Sequence, residues 1–215
     1  MREMKRNSVH RTFASAGRAL FSLLLIAIVP TTARSTDDTV KTIALGQELR
    51  FTDLKGKSHL LKAPENSRAL VLIFVTTDCP IANSYQPQLA KLHQEFQQKG
   101  FEFAIVHEGP EQSINKLMEH AKEYVVPFSI AMDPDHSIAK AVNARKTPEV
   151  VVVGPEGNVL YQGRIDNLYQ TFGKKRATAT REDLRIALME IESGKPVSVP
   201  KTEAVGCSIQ LATGP

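Results

Sequence analysis

Seven consecutive apolar residues, Ala69-Leu70-Val71-Leu72-Ile73-Phe74-Val75, run into the small polar turn Thr76-Thr77-Asp78 and then into Cys79-Pro80. A short run rich in branched side chains and closed by turn residues fits a buried strand. The residues after Pro80 have helical spacing, and proline suits a first helical turn, where its missing N–H and fixed φ cost little. Cys79 is thereby placed at a helix start behind a buried strand. Free N–H groups and the positive end of the helix dipole favour thiolate over thiol there. A thiolate attacks disulfides, hydroperoxides and metals. The alternative reading is an inert core cysteine, although structural cysteines usually sit within elements and not at helix starts.

The rest of the chain alternates. Leu49–Leu54 and Ser58–Leu61 flank Lys55-Gly56-Lys57 as a short hairpin, and the helix from about 80 to 99 turns Leu89, Leu92 and Phe96 inward before Gly100 stops it. His93 reads as a flank residue of that helix. A strand over 101–107 is followed by a helix over 111–124, with Ile114, Leu117, Met118 and Ala121 on its inward face. A strand over 128–132 leads to a helix through Val142 with Asp135 as its N-cap. Val150–Val153 and Val159–Gly163 form a closing antiparallel pair around Gly154-Pro155-Glu156-Gly157-Asn158. Arg164, Asp166 and Asn167 read as capping or loop ion-pair residues, and 168–180 as an exposed basic loop. Thr180 caps a last helix that carries Leu184, Ala187, Leu188 and Ile191 inward and ends at Gly194. Strands alternating with helices of this length indicate βαβ units and parallel strands, with Cys79 at an exposed edge of the sheet.

Charge excludes one class of partner. The formal net charge is +4, but residues 1–33 hold five basic residues and a single acid, which leaves 22 of each sign in the remainder. No patterned basic patch survives, so nucleic acid is not an expected partner. The basic residues Arg2, Lys5, Arg6, Arg11 and Arg18, the apolar stretch Ala19–Val29 and the small residues Thr31-Thr32-Ala33 read as a secretory signal cleaved after Ala33. Its apolar core is short for a membrane span, so no stable insertion is expected after cleavage, and the mature protein is expected to be periplasmic or secreted. Residues 34–42 read as a flexible lead-in. Only Cys79 and Cys207 carry thiols, in a compartment where a disulfide persists.

The segment FVTTDCPIANSYQP resembles the active-site region of thioredoxin-like proteins, in which a strand runs into C-x-x-C and a helix with an internal proline. Cys79 takes the place of the attacking cysteine and Pro87 that of the helix proline, while Ala82 stands where the second cysteine would be. Thr76 lies three before Cys79, as in the P-x-x-x-T-x-x-C segment of peroxiredoxins, with Leu72 in place of that motif's proline. The resemblance implies an α/β thioredoxin-like fold over 43–195, a central mixed β-sheet flanked by helices, of the redoxin (alkyl hydroperoxide reductase/thiol-specific antioxidant) type. It implies that the Thr147–Pro148 bond is cis beside Cys79 and that Thr147 presents its backbone to a substrate chain. Pro80 would sit at the same surface, and Thr76 would orient Cys79 and a peroxide. Arg145 is the nearest candidate for the arginine that peroxiredoxins carry, although Thr147-Pro148 interrupts its register.

The tail, 196–215, contains Ala204-Val205-Gly206-Cys207-Ser208-Ile209, similar to the tails of certain secreted bacterial redoxin-domain proteins. With Ala82 in place of the local partner, the resemblance implies either a remote resolving thiol, for which Cys207 is the candidate, or an external one. The expected function is thiol oxidoreduction of a peroxide or a protein disulfide, with an external thiol donor. No Gly-rich dinucleotide fingerprint follows a strand, so no cofactor is expected. The alternatives are a copper-binding module using Cys79, Cys207 and His107, since thiolate and imidazole suit copper, and a non-catalytic interaction domain.

Overall fold

A computed structural model describes residues 49–109 and 113–211. The expected signal segment and lead-in lie outside the described residues, as does the end of the tail. Among the described residues no helix is long and apolar enough to cross a membrane.

The apolar run forms strand β3 (Ala69–Val75), buried along its whole length. It is the middle of a five-stranded mixed sheet. β4 (Phe101–Glu108) lies parallel to it on one side, and β5 (Ser129–Asp133) parallel to β4. On the other side β7 (Glu149–Val153) and β8 (Val159–Gly163) are antiparallel, giving the order β5-β4-β3-β7-β8. A separate hairpin, β1 (Arg50–Thr52) with β2 (Ser58–Leu60), precedes the sheet. The period of two along β3 divides the core. Ala69, Val71, Ile73 and Val75 pack with α1 (Pro80–Phe96) and α4 (Asp183–Glu192), whereas Leu70, Leu72 and Phe74 pack with α3 (Ser137–Val142) and Phe51.

Helix α1 buries Leu89, Leu92 and Phe96, passes through a 3-10 turn at Gln97–Lys99 and stops at Gly100, whose φ of 85° is costly for any other residue. His93 flanks it, packing its ring against Phe103 and Phe128. In α2 (Ile114–Glu123) the expected face is corrected. Leu117 is fully buried, but Ile114 and Met118 are more than half exposed. Helical spacing identifies a stripe, and here Leu117 is its fully buried member.

Two expected caps are also corrected. α3 begins after His136, at φ 57°, and Asp133 satisfies its first turn by accepting from the N–H groups of Ile138 and Ala139 and from the Ser137 hydroxyl. Asp135 accepts from Ser137 N–H. Thr180 does not cap α4. Its hydroxyl accepts from the Asn167 amide, whose oxygen accepts from Thr180 N–H, while Asp183 in the first turn of α4 pairs with Arg164 and Arg181. Residues 168–180 contain a small hairpin, β9 (Tyr169–Thr171) with β10 (Lys174–Lys175), fastened where Arg176 donates to the Asn167 carbonyl.

The tail docks on the sheet. Pro200 and Thr202 exchange main-chain hydrogen bonds with Gln162 on β8, and the Thr202 hydroxyl meets Tyr161 Oη at 2.7 Å and accepts from Arg164 N–H at 3.0 Å. Gly163 allows this approach, because a methyl group there would overlap the Thr202 side chain. Further on, β11 (Cys207–Ser208) pairs antiparallel with β6 (Lys146–Thr147), and Ile209 joins the buried cluster that includes Ala144 and Val151.

Candidate active site

Four elements converge on Cys79. The strand β3 delivers it, α1 starts from it, β6 faces it and the tail closes over it. Cys79 is the N-cap of α1, with extended backbone (φ −81°, ψ 108°), and Pro80 occupies the first helical turn. Its N–H reaches the Thr76 carbonyl at 3.3 Å, so Thr76 holds Cys79 through the main chain. The thiol donates to the Thr147 carbonyl at 3.0 Å. The Thr147–Pro148 bond is cis.

Cys207 stands opposite Thr147 in the β6–β11 ladder, and its thiol and main-chain N–H interact with the Cys79 sulfur. The two thiols are both reduced. Burial alone would raise the Cys79 pKa. The Ala82 N–H at the helix start and the thiol and N–H of Cys207 outweigh it, and hold the pKa below the ordinary cysteine value. Cys207 moves the other way. Burial, then the neighbouring Cys79 sulfur, and after it the Asp78 charge push it up to about 11. Cys79 therefore ionises first, with Cys207 as a thiol beside it.

Exposure departs from expectation. Cys79 is fully buried and not at an open edge. It lies in the core cluster of β3 and α1, and Val205 and Cys207 of the tail pack against that cluster, a docking position that carries no local sequence signal. Arg145 is corrected as well. Its guanidinium is held at the surface by Asn143 Oδ1, at 3.0 and 2.7 Å, and its main chain instead serves the tail, the carbonyl accepting from Ile209 N–H at 2.9 Å.

His107 does not join the cysteines. It is buried at the end of β4, edge-on to His120, and neither ring nitrogen has a hydrogen-bond partner among the described residues. Burial, with the His120 and Lys116 charges, pushes its pKa down to about 3. Among the described residues no three His, Cys, Asp or Glu side chains are grouped to hold a metal ion, so the copper set of Cys79, Cys207 and His107 is not assembled.

One brace escaped the sequence. Asn83, one turn into α1, donates to the Thr77 carbonyl at 2.8 Å and meets His120 Nε2 at 2.9 Å, fixing the turn before Cys79. The available signal was an amide four residues after the cysteine. On the far side of Pro148, Tyr85 donates to Asp166 at 2.5 Å, and Asp166 accepts from Leu168 N–H at 2.8 Å.

A central strand ending in a helix-capping cysteine, faced by a cis-proline loop in a mixed sheet, defines a thioredoxin-like redoxin domain. The chain belongs to the AhpC/TSA family, whose model matches residues 39–162. Over 116 residues it is 26% identical to the thiol-disulfide oxidoreductase ResA of Bacillus subtilis, covering 54% of this chain and 57% of that protein. The chain thus spans little more than half the length of the curated relatives it matches. A hypothetical protein from Sinorhizobium meliloti 1021 superposes with a TM-score of 0.66 at 24% identity, covering 78% of this chain and 93% of that one. An uncharacterized conserved protein from Geobacillus kaustophilus gives 0.65 at 24% identity, covering 79% and 92%. Those two likenesses concern the fold.

Proposed function

We propose that this protein is an exported thiol–disulfide oxidoreductase whose redox couple is Cys79 and Cys207. The observation that carries this reading is the pairing of Cys207 with Thr147, the residue whose carbonyl accepts the Cys79 thiol hydrogen. Cys79, the more acidic thiol, attacks one sulfur of a substrate disulfide, and the other sulfur leaves as a thiolate that takes up a proton. Cys207 then attacks the Cys79 sulfur of the mixed disulfide and releases the second substrate thiol. The products are a Cys79–Cys207 disulfide and two substrate thiols. An external dithiol returns the pair to its reduced form. The similarity to the thiol-disulfide oxidoreductase ResA of Bacillus subtilis supports this choice.

A hydroperoxide is the second oxidant this site suits, favoured by the family match and by burial of Cys79, which admits a small molecule more easily than a chain. The Cys79 thiolate would take its terminal oxygen as a sulfenic acid while the O–O bond breaks and the alcohol or water departs, and Cys207 would then displace water to give the same disulfide. Thr147, Pro148 and Pro80 would border the substrate, and Thr76 would fix Cys79 through its carbonyl.

Non-reducing peptide mapping tests the couple. Reduced protein treated with one equivalent of glutathione disulfide, and separately of hydrogen peroxide, should yield a peptide linking Cys79 to Cys207. Recovery of Cys79 only as overoxidised or intermolecularly linked peptide would remove Cys207 from the cycle.

A further inference from the structure

Among the described residues β6 has no sheet partner other than the tail, and two residue pairs, Cys207 with Thr147 and Ser208 with Lys146, join it to β11. Three side contacts set how that strand fits. Gly206 lies against the Thr147 carbonyl and Pro148 so closely that a methyl group there would overlap the carbonyl. Ile209, two positions after the cysteine, is buried in the core cluster that includes Ala144 and Val151, and its N–H donates to the Arg145 carbonyl. Ser208 between them is exposed, and its hydroxyl accepts from Lys146 Nζ at 2.9 Å. Thus the β6 edge fixes a glycine, a cysteine and an aliphatic residue, and leaves the position between the last two open.

We infer that the tail is the resident occupant of a strand-binding edge, and that the polypeptides exchanging with Cys79 carry the tail's own pattern. That pattern is an extended segment with glycine immediately before the cysteine and an aliphatic residue two positions after it. A segment of that kind pairs antiparallel with Lys146–Thr147 after β11 peels away, which places its sulfur where the Cys207 sulfur now lies. A two-residue ladder is short enough to open without disturbing the sheet, since the segment at Pro200–Thr202 is anchored separately on β8. The step is disulfide exchange. The Cys79 thiolate forms a bond to the segment's sulfur as the previous sulfur partner departs as a thiolate.

This inference rests on Cys79 being the exchanging thiol, and its test separates the two. The full chain carrying Cys207→Ser keeps the strand but removes the competing thiol. Adding Gly206→Val, or Ile209→Ser should that chain fold poorly, releases the strand. Each is mixed with thionitrobenzoate mixed disulfides of cysteine, of the peptide AVGCSIQ and of the peptide AVVCSIQ, and release of thionitrobenzoate is followed. With the strand released, AVGCSIQ should react about tenfold faster than AVVCSIQ, and about tenfold faster than it does with the strand seated. Equal rates for the two peptides, or no gain on release, overturn the inference. If the cysteine probe is inert with every chain, Cys79 is not the nucleophile and the proposed function falls with it.

Discussion

Cys207 faces Thr147 across a two-residue ladder, and Thr147 accepts the hydrogen of the other thiol, Cys79. A single main-chain position therefore holds both sulfurs in register. Cys79 and Cys207 are 128 positions apart in the chain, and neither has a second cysteine in its own neighbourhood.

The first prediction concerns the order of ionisation. Alkylation of Cys79 should show a pH midpoint below the free-thiol value of about 8.5. Cys207→Ala removes a donor to the Cys79 thiolate and should move that midpoint upward. A midpoint at or above the free value in the wild-type chain would place Cys79 among inert core cysteines.

The second concerns the disulfide. Closing a loop of well over a hundred residues stabilises a fold by up to about 4–5 kcal/mol in the chain-entropy model. The oxidised protein should unfold at higher urea than the reduced one. An oxidised form of lower midpoint would mean that the sheet must distort to bring the sulfurs together.

The third follows from two acids opposed in the β4–β5 ladder, Glu108 and Asp133. Burial, and after it the charge of Asp133, push the Glu108 pKa up to about 9, and His136 Nδ1 lies 2.7 Å from its carboxyl. Its folded pKa exceeds the ordinary value, so its contribution to stability is complete in acid and is lost as the pH rises toward 9. The loss is at most about 1.4 kcal/mol per pH unit for a single proton. Glu108→Gln should flatten stability between pH 5 and 9, measured by urea melts. An unchanged slope would assign that pH dependence to other groups.

The fourth tests the brace behind the nucleophile. Asn83→Ala removes the bond to Thr77 and leaves His120 without that partner. A loss of about 1–2 kcal/mol is expected, together with a change in the Cys79 alkylation rate. Lost stability with an unaltered rate would make Asn83 a structural residue alone.

Much of this was legible in the sequence. Ala69–Val75 has the composition of a strand covered on both faces, Cys79-Pro80 has the chemistry of a helix start, and Thr147-Pro148 stands before a valine run. Each signal is local, which is why it could be read. The docking of Ile209 and the pairing of Cys207 with Thr147 join segments some sixty residues apart, with no periodic pattern to announce them. The sequence led to the expectation that Cys207 reaches Cys79, but not to the two-residue strand that carries it, nor to the full burial of Cys79. Ile114 and Met118 show another limit, since spacing marks the face of a helix and not whether anything covers it. Asp133 shows a third: its carboxylate caps α3 from the end of a strand, across the left-handed turn at His136.

The anchorage of Thr202 on β8 has a kinetic consequence. Cys207 follows Thr202 by five positions, a leash of about 17 Å at full extension. A Cys207 thiol freed from β6 therefore stays within a small volume around the Cys79 sulfur, at an effective concentration in the millimolar range or above. External thiols below that level compete poorly for an oxidised Cys79. The lifetime of any mixed species on Cys79 is then set by the swing of this leash and not by the supply of reductant.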